Sequence, residues 1–351
     1  MSAKENWELI LCSGAEHLEE EFVRAGYSTI KSNRNYDESR KFANSDVYTR
    51  IPTIKRLQDK KVCVLQSFSC SGDNSLHNFN TGDRVVEAMQ VLDILRNPYQ
   101  IEYSSPVQRQ YVRLRPPREV DLLALHMPFS KQDQIYNTGE SNSCRLMVQS
   151  LFQAGADRII AIDPHVPLEF EWFRNYLSHN KILVLSMYER VVHELAHKKE
   201  FESIRFVNTP GKKRTHLGME LAEVNKQRIS TTEVLLEGDV GEDFSSKSVF
   251  LIDDMVISGT TIKKARKLFL SKGAKEVYAW ITHALPSENG NEENLRRLVE
   301  AFDEKLFVSN TIRTQTFLKE YPFCYKSCVP LIVEEFLKKD HPVQQSFEFK
   351  E

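Results

Sequence analysis

Between Lys247 and His283 the chain reads KSVFLIDDMVISGTTIKKARKLFLSKGAKEVYAWITH, a strand, a turn, a helix and a second strand in direct succession. Few folds accommodate such a unit. Val249 to Ile252 is an unbroken apolar run, as expected of a strand in a parallel sheet with helices on both faces. Asp253 and Asp254 are expected at its carboxyl end, before a turn of small and hydroxyl residues, Ser258, Gly259, Thr260 and Thr261, that opens a helix. Ile262, Ala265, Leu268 and Phe269 form one apolar face of that helix, while Lys263, Lys264, Arg266 and Lys267 point outward. Gly273 ends the helix, and Val277 to Ile281 supplies the next strand. The pattern predicts an α/β fold.

A loop that enters a helix at the carboxyl edge of a parallel sheet presents free backbone N–H groups and the positive end of the helix dipole, which suits a phosphate dianion. The three hydroxyls add donors. Two carboxylates just before the loop would repel phosphate, but they can accept hydrogen bonds from a sugar diol or hold a divalent cation. These features describe a sugar-phosphate site. Neither a Walker loop (GxxxxGK) nor a dinucleotide fingerprint (GxGxxG) occurs.

The rest of the chain repeats the same alternation. Trp7 to Cys12, Val62 to Gln66, Asp121 to Met127 and Lys181 to Met187 read as strands, and Ala15 to Ala25, Thr81 to Leu95 and Asn142 to Ala154 as helices. The expected apolar face of the Thr81 helix is Val85, Val86, Met89, Leu92 and Leu95, and Val47 to Ile51 reads as a short hairpin strand. AGADRIIAIDPHVP and KGAKEVYAWITHALP echo each other as helix end, Gly-Ala, strand and a His at the strand tip, which suggests two similar halves. At 351 residues two domains with substantial cores are expected. A formal net charge of −2 implies no general attraction to nucleic acid or membrane. No apolar signal core opens the chain, and no apolar run approaches the roughly 18 residues of a membrane span, so a soluble cytoplasmic protein is expected. Cys12, Cys63, Cys70, Cys144, Cys324 and Cys328 form no CxxC pair and read as reduced core residues.

The segment IDDMVISGTTI resembles the phosphoribosyl-diphosphate (PRPP) loop of type I phosphoribosyltransferases and of the ribose-phosphate diphosphokinases, the PRPP synthetases. The second family resembles nearly the whole chain, in order. The resemblance implies two similar phosphoribosyltransferase-like domains, each a mainly parallel sheet flanked by helices: residues 1–168 on the ATP side, 169–322 carrying the ribose 5-phosphate loop, and a last helix, about 323–345, returning to the first. Phe42, Asn44 and Asp46 resemble the loop that grips adenine across a subunit contact, which implies a homo-oligomer. Lys131, Gln132 and Asp133 stand for the family's Arg-Gln-Asp at the ATP site, followed by Gly139 and Glu140. His165 corresponds to a histidine at the ATP phosphates and Mg2+. Lys226 and Arg228 match the Lys-x-Arg that stabilises charge in the transition state, and side chains two apart in an extended segment share a face. Asp253, Asp254, Ser258, Gly259, Thr260 and Thr261 would hold ribose 5-phosphate, and Ser309-Asn310-Thr311 matches an Asn-Thr at a strand end.

The chain departs from the pattern at three places. Gly211 stands after Thr209-Pro210 where the family has an acid, with Lys212-Lys213 in place of glycines; Lys131 replaces arginine; and Ile257 lies where synthetases carry an acid. Residues 97–119, with Arg109, Arg113, Arg115 and Arg118 among tyrosines, read as an insertion. Alternating cations and aromatics suit either a nucleic-acid strand or the solvated face of a hairpin, and no nucleic-acid partner is expected. The implied activity is diphosphoryl transfer from MgATP to ribose 5-phosphate. A phosphoribosyltransferase, or a weakly active regulatory subunit, are the alternatives.

Overall fold

The computed structural model describes residues 7–32, 39–69, 79–105, 108–196, 204–208, 222–223, 225–228, 234–237, 244–245, 247–287 and 291–339. The chain divides into two compact units, one formed by residues up to Leu185 and again from Val329, the other by Ser186 to Cys328. No helix among the described residues is long and apolar enough to cross a membrane.

In the first unit, β1 (Trp7–Leu11), β2 (Thr29–Lys31), β3 (Lys61–Ser67), β6 (Glu119–His126), β7 (Arg158–Ile162) and β8 (Ile182–Leu185) form a six-stranded sheet in the order β2-β1-β3-β6-β7-β8. All five neighbouring pairs are parallel. Residue 168, the expected domain limit, falls inside this unit because β8 still pairs with β7. Helices α1 (Glu19–Arg24), α2 (Thr81–Arg96), α3 (Ser143–Ala154), α4 (Glu171–Ser178) and α8 (Val329–Ile332) belong to the same unit. One sheet face (Ile10, Val64, Leu122, Ile159) packs in a cluster with Val148 of α3 and Phe173 of α4. The other (Leu9, Leu11, Leu65, Leu123, Ile160) is equally inaccessible, and Trp7 meets Phe336 with ring centroids 5.1 Å apart. Burial on both faces is why these strands read as continuous apolar runs.

Asn80 caps α2 by accepting the Asp83 N–H at 3.0 Å, and Asp83 returns the bond to Asn80 N at 2.9 Å. The buried face of α2 runs through Val85, Ala88, Val91, Leu92 and Leu95, whereas Val86, expected in the core, is exposed. The face is rotated because Arg84 and Glu87 are buried as well, held by polar partners inside the unit. The expected strand at Val47 to Ile51 is reduced to one antiparallel bridge, Lys41 to Val47. Residues 97–119 contain a two-stranded antiparallel ribbon, β4 (Tyr99–Ser105) and β5 (Gln108–Arg113), in which Tyr99, Ile101, Tyr103 and Tyr111 are exposed.

In the second unit β9 (Ile204–Asn208), β10 (Ala222–Glu223), β13 (Ser248–Val256), β14 (Glu276–Ala284), β15 (Leu306–Ser309) and β16 (Tyr325–Lys326) form another parallel six-stranded sheet, ordered β10-β9-β13-β14-β15-β16. Its helices are α5 (Met187–Ala196), α6 (Thr260–Ser271) and α7 (Glu293–Phe302). Ile262, Ala265 and Phe269 of α6 and Leu295, Leu298 and Phe302 of α7 pack on Val249, Leu251, Ala279 and Ile281 of the central strands. A separate antiparallel pair, β11 (Asn225–Arg228) and β12 (Val234–Glu237), completes it. Cys12, Cys63, Cys144, Cys324 and Cys328 are buried free thiols; Cys70 lies outside the described residues.

Asp121 of β6 is fully buried, with its carboxylate bonded to the Arg158 guanidinium of β7, Nε to Oδ2 at 3.1 Å and Nη2 to Oδ2 at 2.5 Å. Burial pushes its carboxyl up from 3.8 to about 6, against the opposing effect of Arg158. A carboxyl raised in the folded state binds its proton more tightly there than in the unfolded chain. Its contribution to stability is therefore full below about pH 4 and is lost as the pH rises through 6. Arg158→Met, which keeps the apolar stem and removes the charge, is expected to cost about 3 kcal/mol at pH 7.5. The deficit should shrink at pH 5, where a neutral Asp121 needs no counter-ion. Urea unfolding of both proteins at the two pH values checks this, and an equal deficit at both would refute it.

Candidate functional site

The central strand of the second unit is longer than its apolar run. β13 continues through Asp253 and Asp254 to Val256, with Asp253 opposite Ile281 and Met255 opposite His283 of β14. The two acids therefore lie within the strand rather than just beyond it. Successive residues in a strand take opposite faces, so they do not form one paired site for a diol. Asp254 is buried, and its Oδ1 accepts the Met255 N–H at 2.9 Å; Asp253 is half-buried.

The turn after β13 leads straight into a helix through a left-handed glycine. Ile257 and Ser258 are exposed, and Gly259 has φ +67°, a left-handed conformation that β-carbon-bearing residues adopt at a cost. A Cβ on Gly259 would also come within 3.0 Å of Leu298 Cδ1. α6 begins at Thr260, and the Gly259 carbonyl accepts the Lys263 N–H at 3.0 Å. Thr260 is exposed and Thr261 half-buried. The turn leaves the carboxyl end of a strand flanked on both sides, by β9 and β14.

A buried polar cluster closes the same ends of β14 and β15. The hydroxyls of Ser309 and Thr311 both bond to the Thr282 carbonyl, at 2.5 and 2.9 Å, and Thr311 Oγ1 lies 2.9 Å from His283 Nδ1. The two hydroxyls also lie 2.8 Å apart, so the four groups form one connected network. Asn310 Oδ1 accepts the Cys328 N–H at 2.8 Å. Ser309, Asn310 and Thr311, matched in the sequence to an Asn-Thr at a strand end, tie strand ends together. Glu292, which the sequence did not single out, is buried and accepts the N–H groups of Gln315 and Thr316 at 2.8 and 2.6 Å.

Lys226 and Arg228 occupy alternate positions of β11, opposite Leu236 and Val234 of β12. Thr209, Pro210, Gly211, Lys212 and Lys213 lie outside the described residues.

In the first unit, Lys131 and Gln132 sit exposed on a 3-10 turn, Ser130–Gln132, entered through Phe129 at φ +52°. The Ser130 hydroxyl donates to the Met127 carbonyl at 2.7 Å and fixes the turn to the end of β6. Asp133 is buried, and its Oδ1 has no hydrogen-bond partner. Asn142 Nδ2 holds its carbonyl at 2.7 Å while Asn142 Oδ1 caps α3 through Arg145 N at 2.9 Å. Cys144, on the first turn of α3, has its thiol pushed up to about 12 by burial and by the Asp133 charge. Gly139 is exposed at φ +87°, and Glu140 folds back to accept the Tyr136 and Asn137 N–H groups at 2.8 and 2.9 Å.

His165 is half-buried and follows β7, which pairs with β6 in register at Ala124 and Ala161. The Lys131–Asp133 turn and His165 therefore leave neighbouring strands at one edge of one sheet. Phe42, Asn44 and Asp46 lie on a tight exposed turn closed by Phe42 N to Asp46 O at 2.8 Å, with Asn44 Nδ2 donating to Asp46 Oδ2 at 2.6 Å. Phe42 packs edge-on against Tyr48.

No group of three His, Cys, Asp or Glu side chains that could hold a metal occurs among the described residues. Magnesium rarely needs one, since it keeps several waters and takes one or two carboxylates together with substrate phosphates. It prefers hard oxygen donors. The partnerless carboxylate oxygen of Asp133 suits it better than the imidazole of His165. The donor set thus fits a Mg2+ carried on nucleotide phosphates.

No family model matches the chain. The ribose-phosphate pyrophosphokinase of Pyrococcus furiosus is 28% identical over 317 residues, covering 87% of this chain and 94% of that protein. Those of Thermococcus kodakarensis and Saccharolobus solfataricus are 26% and 24% identical, covering 87% and 78% of this chain and 94% and 84% of their own. The phosphoribosylpyrophosphate synthetase of Mycobacterium smegmatis has the same fold, with a TM-score of 0.68 at 20% identity over 93% of this chain and 96% of that one. The chain is a divergent relative of the ribose-phosphate pyrophosphokinases, similar to them along most of its length.

Proposed function

We propose that the protein is a ribose-phosphate diphosphokinase, transferring the diphosphoryl group of MgATP to O1 of ribose 5-phosphate to give PRPP and AMP. The observation that carries this reading is the Ile257–Thr261 turn, with Gly259 left-handed at the mouth of α6 on a central parallel strand. The similarity to ribose-phosphate pyrophosphokinases narrows the sugar phosphate to ribose 5-phosphate.

The 5-phosphate sits on the N–H groups and hydroxyls of Ser258, Gly259, Thr260 and Thr261. Asp253 accepts hydrogen bonds from the ribose hydroxyls, while Asp254 holds the strand end. Lys131, Gln132, Asp133 and His165 bind ATP, with Asp133 rather than His165 as the oxygen donor suited to the metal. Phe42, Asn44 and Asp46 receive adenine in an adjoining subunit of a homo-oligomer. O1 attacks the β-phosphorus, losing its proton, as the bond from that phosphorus to the α–β bridging oxygen breaks, and AMP leaves with that oxygen. Bound magnesium supplies charge neutralisation on the phosphate oxygens. Lys226 and Arg228 neutralise charge growing on the transferred group and the leaving oxygen, since such transfers depend on positioning and cations more than on a strong base. Use of ATP and ribose 5-phosphate fits a cytoplasmic protein.

AMP release from ATP with and without ribose 5-phosphate tests the reaction, and no dependence on the sugar phosphate would refute it. Lys226→Ala is expected to lower turnover by about 100 fold or more with ATP affinity nearly unchanged. Full turnover in that variant would remove Lys226 from the mechanism. Replacing Thr260 and Thr261 by Val should weaken ribose 5-phosphate by about tenfold and ATP hardly at all, and equal weakening of both would assign the loop to the wrong substrate. Light scattering at assay concentration should find an oligomer; a fully active monomer would detach the Phe42 turn from the ATP site.

A further inference from the structure

The geometry points to Asn294, on α7, as the residue that orients the phosphate loop, an inference that rests on the sugar-phosphate reading of that loop. Its side-chain amide donates to two carbonyls, those of Ile257 in the loop and of Leu285, the latter at 3.2 Å. Two carbonyl partners leave no doubt which end of the amide faces them, because an oxygen there would meet oxygens. The other end, Oδ1, is buried and has no partner, so the amide is held for its donors.

The bond to Ile257 sets the direction of the next N–H. The Ile257 carbonyl and the Ser258 N–H belong to one peptide unit, all peptides of the described residues are trans, and in a trans unit the two groups point in opposite directions. With the carbonyl drawn onto α7, the Ser258 N–H is turned to the side away from α7. Neither that N–H nor that of Gly259 has a hydrogen-bond partner among the described residues. A rotated unit would instead aim the carbonyl oxygen at a bound phosphate, replacing an attraction by a repulsion. Leu298, one helical turn further along α7, closes the back of the loop against Gly259. Asn294 is thus a positioning residue that acts through the Ile257–Ser258 peptide and touches no substrate.

The test measures ribose 5-phosphate, inorganic phosphate and ATP binding by calorimetry in the native protein and in Asn294→Ala, with the Ser258 amide signal followed by NMR. About tenfold weaker ribose 5-phosphate binding is expected, with ATP affinity and thermal midpoint unchanged. The ligand-induced downfield shift of the Ser258 amide should disappear. Unchanged ribose 5-phosphate affinity in a folded variant overturns the inference and leaves the proposed function standing. If the native protein binds phosphate but not ribose 5-phosphate, the proposed substrate falls, while a loss of phosphate affinity in the variant still supports the role of Asn294. Binding of neither ligand by the native protein overturns both. Should Asn294→Ala unfold, Asn294→Asp, of the same shape but without the donor, takes its place with the same expected direction.

Discussion

Six strands running in one direction put six carboxyl ends on one edge, and most of the placement of polar side chains in this protein follows from that. A parallel sheet buried on both faces can carry chemistry only where its strands stop. In the first unit the ends of β6 and β7 release the Lys131–Asp133 turn and His165 side by side. In the second, the end of β13 releases the glycine turn, and the ends of β14 and β15 are locked by the hydroxyls of Ser309 and Thr311 on one carbonyl. The lock matters because these groups are buried, and a buried polar atom left unbonded costs about 1–3 kcal/mol. Satisfying one another, they hold the ends of β14 and β15 together.

A comparable knot holds the first unit at the ends of β1 and β3. The Glu87 carboxylate, almost wholly inaccessible, accepts from the N–H and hydroxyl of Ser13, from Gln66 Nε2 at 2.9 Å and from Arg40 Nη1 at 3.2 Å. Gln66 in turn accepts the Gly14 N–H at 2.9 Å. A Cβ on Gly14 would stand 2.4 Å from the Ser67 carbonyl, so only glycine lets the β1 turn approach β3 this closely. Arg40 immediately precedes Lys41 and the Phe42 turn, and its anchoring fixes where that exposed turn begins.

The strands were legible because burial on both faces writes itself as apolar runs, and the turn from β13 into α6 because its glycine, hydroxyls and flanking elements are contiguous. What escaped the sequence shares one physical character: it is polar and buried. Glu87 and Arg84 lay outside the expected apolar face of α2, and their distant partners Ser13, Gln66 and Ser67 hold them buried while Val86 faces water. Asn294 and Glu292 carry no local signal, since their partners are backbone groups far along the chain. Ser309 to Thr311 matched a pattern at a strand end, but the pattern does not reveal that their hydroxyls meet a carbonyl of the neighbouring strand. Strand length failed at Asp253 for a related reason: an apolar run ends where charge begins, whereas the backbone ladder runs on to Val256.

That extra strand length changes the electrostatics of the site. Two unit charges 4 Å apart interact by about 4 kcal/mol at an effective dielectric constant near 20, so each carboxylate brought that close to a phosphate would cancel about two of the loop's charge-assisted hydrogen bonds, at about 1.5–3 kcal/mol each. Had both acids followed the strand in the turn, both would have been free to approach the anion. Carried inside β13 they must take opposite faces, and Asp254 uses its oxygen on its neighbour's N–H. Asp253 lies on the other face and is half-buried. The register of the strand, rather than the identity of its residues, thus sets the two adjacent carboxylates on opposite faces.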